Sequence, residues 1–199
     1  SSRNEWAVQS MIFNANYAYD NKYLAQFSFR RDGASNFGDN AKYGNFFSIS
    51  GGWNIHKEDF FTADWVDNLK LRASYGSVGN RPSSLYPQYA LYSLSESYNE
   101  MPGAILNQVK NDDLTWEKTY TTGTGVDVAF FDNRLRASFD WYNKYTSNIL
   151  YAVPISGLVG VTSMWKNIGE MQNQGFELSI GGDIIRTKDW DWNIEINLG

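Results

Sequence analysis

The chain has 199 residues, with 17 basic against 22 acidic side chains, a formal charge of −5, and no cysteine. That balance offers no basic footprint for nucleic acid, and without thiols there is neither a disulfide framework nor a thiolate metal site. Aromatic residues make up 17% of the chain, yet no run reaches the roughly 18 apolar residues of a transmembrane helix.

Alternating apolar and polar residues mark strands with two unlike faces. The first runs from Trp6 to Tyr19, with Ala7, Met11, Phe13, Ala15, Tyr17 and Tyr19 on one face and Ser10, Asn14 and Asn16 on the other. Asp20-Asn21-Lys22 turns the chain into a second strand, Tyr23 to Arg31. A three-residue loop there sets Tyr19 opposite Tyr23, Tyr17 opposite Ala25 and Ala15 opposite Phe27. A polar, glycine-rich stretch follows, Asp32 to Gly44. The third strand, Asn45 to Ile55, sets Phe47, Ile49, Trp53 and Ile55 against Ser48, Ser50 and Asn54, and its Gly51-Gly52 pair reads as a bulge or bend. His56 to Asn68 is a compact connection with one helical turn, and the fourth strand runs from Leu69 to Tyr75. Gly76-Ser77-Val78-Gly79-Asn80 opens no helix and lacks the Lys-Ser/Thr of a phosphate loop, so it reads as a turn at the strand exit.

A long connection, 76–115, is rich in Tyr, Ser, Asn and Pro. It leads to the most regular hairpin, Trp116 to Tyr145. Asp132-Asn133 is a two-residue turn that tolerates positive φ. It pairs Phe130 with Leu135, Val128 with Ala137, Val126 with Phe139 and Thr124 with Trp141, while Asp127 meets Ser138 on the wet face. A second long connection spans 146–173. The seventh strand is Gln174 to Ile185, Thr187-Lys188-Asp189 turns the chain, and the eighth sets Trp192, Ile194, Ile196 and Leu198 on one face. Ser1 to Glu5 lead straight into strand and Asn193 to Gly199 still read as strand, without a signal peptide, so the expectation is a segment of a longer protein.

Short and long connections alternate, which in an up-and-down meander places short turns at one end and long loops at the other. Aromatics gather at both: Tyr17, Tyr19, Tyr23, Phe60, Phe61, Trp65, Phe130, Phe131, Trp190 and Trp192 by the short turns, and Tyr75, Trp141, Tyr142 and Tyr145 by the long loops. Two girdles around an apolar band are expected where strands cross lipid. A mean hydropathy of −0.48 is compatible, because lumen-facing residues halve the apparent hydrophobicity. The fold class read from this pattern is all-β, an antiparallel meander of about eight long strands, part of a transmembrane β-barrel.

Several stretches resemble the SusC/RagA-type TonB-dependent transporters of the Bacteroidota outer membrane. They are Arg31-Asp32-Gly33-Ala34-Ser35-Asn36-Phe37-Gly38, Phe46-Phe47-Ser48-Ile49-Ser50-Gly51-Gly52-Trp53, Leu69-Lys70-Leu71-Arg72-Ala73-Ser74-Tyr75-Gly76 with Gly79-Asn80, Asn111-Asp112-Asp113-Leu114-Thr115-Trp116-Glu117, and Asn167-Ile168-Gly169 through Asn173-Gln174-Gly175-Phe176-Glu177. Asp112 and Phe47 depart from prolines common in the family. The resemblance implies a plugged barrel of roughly 22 strands, of which residues 1–199 form one part of the wall. It implies import of a large nutrient, an oligosaccharide or a peptide, with a SusD-like surface lipoprotein as lid and TonB, reached through an N-terminal part upstream, as the energy source.

Candidate sites follow from position. Lys70, Arg72, Asp127, Arg136 and Asp140 fall on the wet face and are expected to line the lumen, either hydrated and paired or along a substrate path. Tyr86, Tyr89, Tyr92, Tyr98 and Trp165 sit in the long connections, where flat rings can stack on sugars or peptide side chains, or simply pack the loops. The stretch Ile149 to Met164 is apolar for a loop and is read as folding inward or meeting a lid protein. Asp112, Asp113 and Glu117 are read as solvated or capping acids before a cation site. His56, the one histidine, has no partner at the spacing of a triad or metal site. No nucleophile with a base is present, so the reading is binding and passage, with no catalytic residue, metal or cofactor. Two alternatives stand: a complete small barrel, which needs the eighth strand to pair with the first, and a soluble sugar-binding β-sandwich, which needs the apolar faces buried.

Overall fold

The computed structural model describes residues 7–35, 37, 41–81, 90–98, 101–111, 113–156, 161 and 163–199; between 91 and 108 it describes side chains only at Tyr92 and Leu106. In chain order the strands are β1 (Val8–Tyr19), β2 (Tyr23–Ala34), β3 (Tyr43–Asn54), β4 (Val66–Asn80), β5 (Leu91–Tyr98), β6 (Met101–Gln108), β7 (Glu117–Phe130), β8 (Leu135–Ser147), β9 (Leu150–Pro154), β10 (Ser163–Asn167), β11 (Glu170–Arg186) and β12 (Asp191–Leu198). A 3-10 turn, Ile55–Lys57, follows β3. Eight strands form one antiparallel sheet in the order β1-β2-β3-β4-β7-β8-β11-β12, and β5-β6 and β9-β10 are separate hairpins. Within the large sheet β1 and β12 are the two outer strands and do not pair with each other, so the small closed barrel is not formed.

The registers follow from parity and turn length. Tyr19↔Tyr23, Tyr17↔Ala25 and Ala15↔Phe27 pair as the three-residue loop requires. Phe130↔Leu135, Val128↔Ala137 and Val126↔Phe139 pair as the Asp132-Asn133 turn requires. The turn itself holds three left-handed residues in a row, Phe131, Asp132 and Asn133, with φ of 59°, 55° and 60°. A bulky residue is costly there, and neighbours hold it: Phe131 N donates to Trp65 O at 3.1 Å and Asn133 N to Asp67 Oδ2 at 2.8 Å.

Several boundaries differ from the sequence reading. β2 continues to Ala34 and β4 to Asn80, well past the end of clean alternation. Gly76 to Asn80 is not a turn; it pairs with Thr121 to Glu117 of β7. Glycine serves there for close approach: a Cβ on Gly76 would sit 2.8 Å from Ser48 Cβ, and one on Gly79 would run into the Phe46 ring. Gly51-Gly52 is no bulge either, because Ala25↔Gly51 and Leu24↔Gly52 continue the register. In the large sheet the irregular steps lie at Val66/Asn68 and Asp183/Ile185. The long connections are not plain loops, since each carries a hairpin.

One face of the sheet is apolar and uncovered. Phe13 is 59% exposed, Ile49 53% and Phe176 62%. That excludes the β-sandwich, which would bury these side chains against a second layer. Among the described residues the core cluster is small and sits at the long-loop end: Ala34, Phe37, Phe46 and Trp116, flanked by Ala41. Phe37 and Trp116 have ring centroids 4.5 Å apart, and Phe46 meets Trp116 edge-on at 5.5 Å. Seven of the eight strands run 12 to 17 residues, longer than the roughly 9–11 needed to cross a bilayer.

At the short-turn end Glu58 ties three elements together. Its Oε1 accepts from Tyr23 OH at 2.6 Å and Trp53 Nε1 at 2.8 Å, and its Oε2 lies 3.6 Å from Lys22 Nζ. The Tyr23 hydrogen bond, then Trp53 and Lys22, holds this carboxyl below its ordinary 4.5. The contribution to stability is therefore complete above 4.5 and is lost as pH falls through the lower folded-state value. Glu58→Gln is expected to flatten this acid limb: the stability gap to wild type shrinks between about pH 6 and about pH 3. Denaturant midpoints across that range check it, and a pH-independent gap would contradict the pairing.

Candidate functional site

The wet face is continuous across the sheet because register preserves parity from strand to strand. Lys70 pairs with Asp127, Gly125 with Asp140, and Ala129 with Arg136. All five residues read as lumen-facing thus fall on one face of the sheet, Arg72 opposite Gly125, and three of them, Arg72, Asp127 and Asp140, come into contact. Arg72 is the centre. Its Nε donates to Asp127 Oδ2 at 2.7 Å and its Nη2 to Asp127 Oδ1 at 2.8 Å, a bidentate fork, while Nη2 also reaches Asp140 Oδ2 at 3.1 Å. A Cβ on Gly125 would sit 2.8 Å from Arg72 Nη2 and would overlap Asp140. Glycine at 125 is what lets the three charges lie flat on the sheet, a role the sequence reading missed; its place opposite an acid on the wet face was the available signal.

Arg136 belongs to a separate pair: its Nη2 donates to Asp183 Oδ1 at 3.0 Å and its Nη1 to Asn133 O at 2.8 Å. Lys70 lies along Gly52, with no carboxylate in ion-pair contact among the described residues. Beside this charged patch is a hollow of 570 Å³ lined by Asn16, Gln26, Ser50, Lys70, Ser74 and Asp140, among others. Amides and hydroxyls dominate its polar lining. Tyr142 corrects one expectation. It pairs with Gly123 and Gly175 on the wet face, with Asp140, and is not part of the outward girdle.

The loop aromatics do not form one described site. Tyr86 and Tyr89 lie outside the described residues, and so does the side chain of Tyr98. Tyr92, in β5, is exposed. Trp165, in β10, is half-buried opposite Ala152, and its carbonyl accepts from Asn111 Nδ2 at 2.7 Å. The apolar stretch from Ile149 becomes the β9-β10 hairpin, with residues 157–160 and 162 outside the description.

The motif residues mostly lock backbone. Asn167 Oδ1 accepts from Thr115 N at 2.9 Å, and its Nδ2 donates to Thr115 O at 2.8 Å and Asn148 O at 2.9 Å. Asn111 Oδ1 caps Asp113 N at 3.1 Å, and Glu117 Oε1 accepts from Asn80 Nδ2 at 2.9 Å. Asp113 and Glu117 thus serve turn and strand pairing, while Asp112 lies outside the described residues. Three motif segments, from Arg31, Phe46 and Asn111, converge through Phe37, Phe46 and Trp116 in the core cluster. His56 Nδ1 accepts from Leu69 N at 3.2 Å and fastens the 3-10 turn to β4.

The family model described as TonB dependent receptor-like, beta-barrel, matches residues 1–199. The chain is 39% identical to TonB-dependent receptor P3 of Formosa agariphila over 98% of its own length and 20% of that protein. It is 32% identical to TonB-dependent receptor SusC of Bacteroides thetaiotaomicron over 92% of its length and 19% of that protein. A solved structure of the RagAB peptide transporter superposes with a TM-score of 0.85 at 32% identity, covering 96% of this chain and 22% of that one. The chain therefore spans about a fifth of the length of the curated relatives it matches. The uncovered apolar face and its aromatic rims belong in the outer membrane. The open meander, its two-faced strands and the match along the whole chain make this a member of the TonB-dependent receptor-like β-barrel family.

Proposed function

We propose that this chain is one section of the wall of an active outer-membrane importer for a large nutrient, an oligosaccharide foremost. The observation that carries the reading is the wet face: a 570 Å³ hollow whose polar lining is mostly amide and hydroxyl, from Asn16, Gln26, Ser50 and Ser74, set among glycine, alanine and Leu24, beside a guanidinium already shared between two carboxylates. Such a lining gives and accepts many weak hydrogen bonds while holding its charges in place. It suits passage of a neutral polyhydroxylated ligand, and it offers no bond chemistry. The plug, the remaining strands and the TonB-contacting segment would come from the rest of a protein of the relatives' length. A SusD-like lipoprotein is the proposed lid, and the long-loop end, with Trp165 and Tyr92 on its hairpins, is where it and the ligand would meet the barrel.

A peptide ligand is the second reading. It is favoured by the structural likeness to RagAB, named a peptide transporter, and by the mixed charges Lys70, Arg136 and Asp183 on the same face. Calorimetric titration of the full-length transporter with neutral oligosaccharides and with peptides of similar mass separates the two. Saturable binding of an oligosaccharide, weakened about tenfold by Trp165→Ala or Tyr89→Ala through lost stacking, is the expected result. Unchanged affinity would remove these aromatics from the site, and binding of peptides alone would replace the glycan reading.

A further inference from the structure

Arg31 and Gly33 continue the parity of Phe27 and Phe29 on the apolar face of β2, at its long-loop end. Gly33 pairs with Tyr43 of β3. A Cβ at position 33 would lie 2.6 Å from Tyr43 Cε1, so only glycine lets that ring lie flat against the sheet. The Arg31 guanidinium sits over the ring, 4.8 Å from its centroid. Both side chains are exposed. Other sheet arginines are committed to acids: Arg30 to Asp32 at 2.7 Å, Arg72 to Asp127, Arg136 to Asp183. Among the described residues no carboxylate pairs with Arg31. It is a cation held in place with its donors open, above Phe29 and Phe47 and beside Met11.

Depth decides what those donors meet. Arg31 is eight residues along β2 from Tyr23, and at about 3.3 Å per residue and a tilt of about 40° that is roughly 20 Å across the bilayer. An apolar band of a barrel is about 25 Å tall, so the Arg31 backbone lies about 5 Å inside its edge, and the side chain, leaning over Tyr43 opposite Gly33 two residues nearer the rim, carries the guanidinium to headgroup depth as snorkelling arginines do. The acceptor dense at that depth is lipid phosphate, and a guanidinium fork matches phosphate oxygens bidentately where a lysine offers a point charge. The Tyr43 hydroxyl adds a donor beside it. We propose that Arg31, held over Tyr43 by the bare Gly33, binds the phosphate of a membrane lipid headgroup at the long-loop rim of the barrel. The site is independent of which nutrient is carried.

Native mass spectrometry of the delipidated full-length transporter tests this, with dioleoylphosphatidate and the phosphate-free dioleoylglycerol as probes. Arg31→Gln is expected to lower occupancy of the tightest phosphatidate site about tenfold and Arg31→Lys by less, since a charge-assisted fork outweighs a single cation. Gly33→Ala, which displaces the ring, is expected to fall between them. Dioleoylglycerol binding should not change in any variant, and millimolar inorganic phosphate should not displace phosphatidate. Unchanged phosphatidate occupancy in Arg31→Gln overturns the proposal. So does an equal loss of both lipids, which would mean packing alone, and so does displacement by inorganic phosphate, which would mean a free-anion site. Should Arg31→Gln fail to assemble, Arg31→Lys and Gly33→Ala carry the same comparison.

Discussion

Phe139→Arg in the full-length protein is expected to destabilise the assembled barrel by roughly 2–4 kcal/mol, the cost of an arginine at mid-bilayer on a lipid-facing position. Ser138→Arg, one residue away, is expected to cost less than about 1 kcal/mol, as surface substitutions do. The contrast rests on register alone. Phe139 stands between Val126 and Leu178 on the apolar face, with the Phe176 ring 6.4 Å from its own. Ser138 stands between Asp127 and Ser179 on the wet face, where a new guanidinium finds water and a carboxylate. Urea unfolding in lipid vesicles measures both. Equal costs, or the reverse order, would mean that the face assignment fails.

Trp116→Ala is the other large effect, about 3–5 kcal/mol for an aromatic deleted from a packed cluster. Trp116 is 4% exposed between Phe37 and Phe46. The lower end of the range is expected, because its indole Nε1 is buried without a hydrogen-bond partner and removing an unsatisfied donor returns part of the loss. Since the cluster joins β2, β3 and the entry to β7, the effect should concentrate at the long-loop end. Hydrogen exchange should rise at Asp32 to Ala34 and Gly44 to Phe46 while the Glu58 end stays protected. Gly79→Ala approaches the same cluster from the other side: its methyl would enter the space of the Phe46 ring, and overpacking of this kind costs about 1–3 kcal/mol. A global loss of protection in Trp116→Ala, without preference for that end, would contradict a local core.

Faces were legible in the sequence because period two cannot be shifted by one residue without exposing every side chain to the wrong medium. The hairpin registers at Tyr19–Tyr23 and Phe130–Leu135 followed from that rule and two loop lengths. Strand ends were not legible, because at the long-loop end alternation gives way to Gly33, Gly76 and Gly79. Those glycines look like turn residues and act as spaces for Tyr43, Ser48 and Phe46, which only the folded sheet brings near. The β5-β6 and β9-β10 hairpins carry no regular alternation, so they read as loops. Tyr142 lies near a strand end, which suggests the outward girdle, but its parity puts it on the wet face opposite Gly123 and Gly175. For the candidate site, parity puts Lys70, Arg72, Asp127, Arg136 and Asp140 on one face, as the registers do. It could not find that Arg72 serves both acids, because that pairing needs β4 beside β7 across the long 81–116 connection. Asn111 and Asn167 were visible only as family motif residues; their grip on backbone 54 and 52 positions away has no local signal.

Membrane orientation can be read residue by residue along β8. Single cysteines placed from 135 to 147 in a cysteine-free background, in the full-length protein in vesicles, report their surroundings by reaction with a water-soluble maleimide and by quenching from brominated lipid. Positions 136, 138 and 140 should react with the maleimide, and 137, 139 and 141 should be quenched by lipid. A scan without that alternation, or with its phase inverted, would contradict the account.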